Sequence, residues 1–130
     1  MDALSNVLRV TRLTGGVFLH ADFSEPWCLA AQIEAGHCAP YLGPTAHLIP
    51  YHYVVEGRLG VRCEGLEPFA LHAGEVVIFP RNDAHFLGSR FDLPPVPAKD
   101  VIQPSADGGL HVIRHGGGGA RCRTICGFLG

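Results

Sequence analysis

At 130 residues, 47% of them hydrophobic and 17% charged, the chain has the length and apolar content of one globular domain and not of a disordered segment. A formal net charge of −2 and a pI near 6.4 offer no surplus of cations for phosphates, so no DNA binding is expected through this chain alone. No leader precedes the first turn, no run reaches the roughly 18 apolar residues that span a bilayer, and five cysteines without a Cys-x-x-Cys pair argue against a disulfide framework; a cytoplasmic protein is expected.

Asp2 can cap a short helix whose Leu4, Val7 and Leu8 share one face, ended by Gly15 and Gly16. Val17, Leu19, Ala21 and Phe23 then alternate with Phe18, His20, Asp22 and Ser24, which predicts a half-buried strand, and a second extended run follows Trp27 as far as Ile33. Residues 35–50 carry Gly, Pro and His without period and read as connection. Strands are predicted at 51–55, 58–64, 67–72 and 75–80, joined by Gly-containing turns into a meander that closes on itself. Residues 88–109 hold four prolines and no periodicity, and predict a lid or a mobile excursion. Leu110 to Arg114 reads as a strand, the glycines 116–119 as a flexible turn, and Arg121 to Leu129 as the closing strand. With 17 glycines and 10 prolines the fold class is all-β. The chain ends while still apolar, at Ile125, Phe128 and Leu129, so it is expected to be the single domain 1–130 cut from a longer protein.

The segments His52 to Gly57 and Gly74 to His85, each a strand, a turn and a histidine, resemble the two sequence motifs of the cupin superfamily. The order of Asp2 to Leu8, Gly15 to Phe18, Ser24 to Trp27, those two motifs, Gly116 to Gly119 and Thr124 to Phe128 is similar to the cupin-type N-terminal domain of AraC-family transcriptional regulators. The resemblance covers nearly the whole chain. It implies an antiparallel, jelly-roll-like β-barrel with a short N-terminal helix that binds a small-molecule effector, forms a homodimer, and is normally followed by a helix-turn-helix domain that this chain lacks. It departs from metal-dependent cupin enzymes, because the stretch from His47 to His52 has no His-x-His followed by glutamate. A stand-alone metal cupin enzyme, an isomerase or a dioxygenase, is the alternative.

Three residues carry the site reading. By strand parity His52 points either into the barrel or directly away from it. The family register implies inward, the second motif places His85 at its ligand position, and the family's closing strand carries a cysteine before glycine, here Cys126. Two imidazoles and a thiolate suit a divalent transition metal, zinc above all, with a fourth place for water or effector. The other reading of the same residues is barrel lining: histidines satisfied by hydrogen bonds and a thiol acting as a small core hydrophobe. Cys122, His37 and Cys38 are weaker candidates, and the remaining histidines are expected on surfaces or turns. Glu56 and Glu75 are turn residues, the latter placed to bond local backbone. No Ser-His-Asp set or carboxylate pair is legible, so no catalytic residue is named.

Overall fold

The structure is a computed structural model that describes residues 15–31, 49–104 and 110–129. The expected N-terminal helix, His37, Cys38 and His47 lie outside the described residues. Among those described, extended segments alternate inward apolar with outward polar side chains, and the inward sets define two sheets around one core. In β1 (Gly15–Ser24), Leu19, Ala21 and Phe23 are buried. Further along come β2 (Cys28–Ala30), β3 (Ile49–Glu56), β4 (Arg58–Cys63), β5 (Phe69–His72), β6 (Val76–Ile78) and β7 (His85–Gly88). The chain continues through β8 (Val96–Pro97), a 3-10 turn at Ala98–Asp100, β9 (Ile102–Gln103), β10 (His111–Gly116) and β11 (Arg121–Leu129). One sheet runs β6-β3-β11-β1-β10-β9, the other β5-β4-β7-β2-β8.

Two sheets facing each other make a β-sandwich, and this corrects the predicted meander. Of the strands from β3 to β6 only β4 and β5 form a hairpin; β3 pairs with β11 and β6, and β4 pairs with β7. The turn at Gly57 therefore carries the chain from one sheet to the other. Its φ of +80° and its closeness to the Arg121 carbonyl leave no room for a side chain, which is why glycine stands between two strands that do not pair. Val54, Leu59 and Val61 on either side stay buried, because each sheet presents its own inward face to the shared core.

The glycine run after β10 is also not the flexible hairpin that its composition predicts. β10 and β11 do not pair with each other but flank β1, β10 parallel and β11 antiparallel to it. The chain must pass over the end of β1, and it does so in hydrogen-bonded contact: Gly117 N–H donates to the Ser24 carbonyl at 3.0 Å, Gly118 N–H to Ser24 Oγ at 3.0 Å and Gly119 N–H to the Glu25 carbonyl at 2.8 Å. A Cβ at Gly116, where φ is +142°, would overlap the Ser24 backbone. Four glycines read as slack in a sequence; here the missing side chains of Gly116, Gly117 and Gly119, packed against Ser24, Pro26 and Glu25, are what permit the crossing.

The proline-rich excursion is corrected in the same sense as far as it is described. Val96 and Pro97 pair with Leu29 and Ala30 of β2, Ala98 is buried, and Ile102 and Gln103 pair with β10. Each sheet thereby gains an edge strand, and β8 is a proper place for proline because an edge strand leaves one row of its backbone groups outside the ladder. Among the described residues no helix is long and apolar enough to cross a membrane.

Candidate functional site

The inner faces of β3, β7 and β11 supply the only buried polar side chains among the described residues: His52, His85 and Thr124. Pairing places His52 of β3 directly beside Cys126 of β11, and parity turns both inward. His85 opens β7 in the opposite sheet and faces them across the core. The structure thus brings His52, His85 and Cys126 together, with His52 6% and His85 2% exposed.

They meet in a line. His85 Nδ1 lies 2.9 Å from the carbonyl oxygen of Asp83, His85 Nε2 lies 2.7 Å from His52 Nε2, His52 Nδ1 lies 2.9 Å from Cys126 Sγ, and Thr124 Oγ1 lies 3.5 Å from that sulfur. A carbonyl only accepts, so His85 Nδ1 carries a proton and donates it. A neutral His85 then accepts at Nε2. His52 must donate from Nε2, must accept at Nδ1, and receives the Cys126 thiol proton, while the Thr124 hydroxyl donates to the sulfur. One backbone carbonyl thereby orders every proton of the chain.

Burial holds this arrangement neutral. Desolvation first, and the neighbouring His85 second, push His52 down to about 3. His85 is lowered by burial against the opposing pull of Asp83. Burial pushes the Cys126 thiol up to about 12, the Thr124 hydrogen bond only partly offsetting it. Phe79 completes the enclosure, stacked on His85 with ring centroids 3.7 Å apart and edge-on to His52 at 6.1 Å.

This geometry does not fit a single ion held by the three residues. The two nitrogens of one imidazole point in opposite directions, and His52 spends one on Cys126 and the other on His85. Three donors around a metal must instead aim at one point about 2.0–2.3 Å from each. Among the described residues no group of three or more His, Cys, Asp or Glu side chains is arranged to hold a metal. The three residues named for a zinc do come together in the fold, joined here by hydrogen bonds as a relay.

The weaker candidates sort simply. Cys122 is buried four residues before Cys126 on the same face of β11, its thiol pushed up to about 11 by burial. The four described cysteines are free thiols. Glu75 accepts from the His72 backbone N–H at 2.7 Å and lies 3.1 Å from its ring, so it shapes the turn before β6. Glu56 is exposed beside Arg123 at 3.8 Å.

Two openings adjoin the relay. On the Cys126 side a cavity of about 30 Å³, walled by apolar residues such as Leu19, Ile113 and Phe128, has room for a water or two and no more. On the Phe79 side, between the β4–β5 turn and the β6–β7 turn, lies a groove of about 490 Å³. Sequence reasoning missed Asp83 as the anchor of the relay and the groove altogether. The only written signal for the groove is Leu66 and Phe69, apolar residues in and after a polar turn, which are 64% and 42% exposed.

Comparison with curated proteins and with solved structures returned no match. A family model described as cupin matches residues 2–130, which is nearly the full chain. The histidine-bearing β3 and β7, the glycine turns that follow β3 and precede β6, and the all-β sandwich are thus those of a chain that belongs to the cupin family.

Proposed function

We propose that this cupin domain is the effector-sensing and dimerising module of an AraC-type transcription regulator, and that its chemistry is binding and not turnover. The observation that carries the reading is the proton-ordered relay. A histidine lowered to about 3 and a thiol raised to about 12 supply neither a general base nor a nucleophile near neutral pH, and every polar atom of the relay already has a partner. Such a core suits a domain that changes packing when a ligand binds, because it holds one ordered set of hydrogen bonds and no reactive group to protect. The alternative of a stand-alone metal cupin enzyme needs donors aimed at one ion, which the relay does not offer.

Dimerisation finds support on the outer face of β3 and β6, where Tyr53, Val55 and Val76 are all exposed at 38–44% and form a contiguous apolar patch in neighbouring strands. Patches of this kind on a sheet face mark association surfaces. DNA contacts would belong to a separate domain. The test is a fusion of the full chain to a DNA-binding domain that occupies its operator only as a dimer, read in a reporter strain. Repression that depends on the fused chain and shifts with added small molecules is expected; a fusion that never represses refutes the reading.

A further inference from the structure

The groove beside Phe79 lies in the range of about 300–1,000 Å³ typical of small-molecule sites, whereas the inner cavity, at about 30 Å³, does not. Its walls are apolar: Leu66 and Phe69 from the β4–β5 turn and β5, Val77 and Ile78 from β6, and Phe79 as the floor. Its polar edge carries Glu64 and Asp83, and among the described residues no lysine or arginine lines it. Among the described residues neither carboxylate side chain has a hydrogen-bond or ion-pair partner. Two unpaired negative charges at the rim of an apolar slot raise the local concentration of cations and reject anions. The aromatic rings of Phe69 and Phe79 present further favourable surface to an ammonium group.

We propose that this groove is the ligand site of the domain and that it takes a small amphipathic amine, with an aromatic or aliphatic body against Leu66, Phe69 and Phe79 and a single ammonium group at Glu64 and Asp83. The site deepens the sensing reading and depends on it only for its consequence. Phe79 forms the wall between groove and relay, with His85 stacked on its other side at 3.7 Å. A body that presses on Phe79 moves His85, and through His52 the displacement reaches Cys126 in β11, the strand that joins β1 to β3. Cys63, which also lines the groove, sits opposite His85 in the β4–β7 ladder and gives the occupant a second contact with the same element.

The experiment is a titration of the ¹⁵N-labelled full chain with 2-phenylethylamine at neutral pH, with 2-phenylethanol and 3-phenylpropionate as neutral and anionic counterparts. Amide shifts are expected in residues 63–69 and 77–85, with the alcohol weaker than the amine and the propionate without effect. Glu64→Gln and Asp83→Asn are exposed, size-conserving changes that leave the Asp83 carbonyl in place, and each is expected to weaken the amine about fivefold. Equal binding of amine and alcohol, full affinity in the double variant, shifts confined to the inner cavity around Leu19 and Phe128, or no binding of the amine overturns the proposal. A reporter fusion that still responds to other molecules while the amine fails sinks the groove and spares the sensing role. An amine bound as described, with a fusion that never represses, sinks the role and spares the groove.

Discussion

Replacing His52 by alanine removes the middle of the relay and nothing at the surface. Two consequences add. His85 Nε2, buried and accepting from His52 at 2.7 Å, loses its donor, and an unsatisfied buried acceptor costs about 1–3 kcal/mol. The missing imidazole enlarges the apolar cavity beside Cys126, and truncation of a buried side chain of that size costs about 2–4 kcal/mol. The Cys126 thiol also loses its acceptor, a small term because S–H is a weak donor. The sum is about 3–7 kcal/mol, a large part of the roughly 5–15 kcal/mol that holds a domain folded. Urea unfolding followed by the fluorescence of Trp27 measures it. Trp27 is the single tryptophan, 1% exposed and stacked on Phe23 with centroids 3.8 Å apart, so its signal reports the core and not the substituted site. A loss below about 1 kcal/mol would mean that His52 does not hold the relay together in solution.

Stability should fall with acid. His52 is lowered to about 3 in the fold from 6.5, so the unfolded chain takes up a proton that the folded chain refuses; the penalty is absent above pH 6.5 and grows down to about pH 3. His52 contributes a slope of about 1.4 kcal/mol per pH unit in that window, His85, lowered by burial, acts in the same direction, and urea midpoints at pH 7.5, 6 and 5 that do not move would refute it. Gly116→Ala should cost more than Gly118→Ala. Both have positive φ, which alone costs about 1 kcal/mol, but only the Gly116 side chain would meet the Ser24 backbone, and thermal unfolding of the two variants gives the order. Zinc added in equimolar amount should not raise the melting temperature, because binding would require His52 to surrender a hydrogen bond and the raised Cys126 thiol to ionise; a rise that is lost in Cys126→Ser would restore the metal reading.

The strand content was legible because alternation is a local property: Leu19, Ala21 and Phe23 announce an inward face whatever they pair with. Pairing is not local. Val54 and Leu59 read as two arms of a hairpin, yet they belong to different sheets, and only the crowding of Gly57 against Arg121, far along the chain, decides it. The glycines at 116–119 misled for the same reason, since composition cannot distinguish a loop without constraints from one too tightly constrained for side chains. At the site, parity and motif position pointed to His52, His85 and Cys126, and the fold does assemble them. How they meet depends on one backbone carbonyl, that of Asp83, and no side-chain pattern encodes the direction in which a carbonyl points.

The central claim is that these buried groups form a neutral, proton-ordered relay built for packing and not for reaction. Long-range ¹H–¹⁵N correlation spectra of the two imidazoles at pH 7 test it most directly. The expected result is opposite tautomers, a proton on Nε2 of His52 and on Nδ1 of His85, with both rings neutral. Finding either ring as imidazolium, or both rings in the same tautomer, would contradict it.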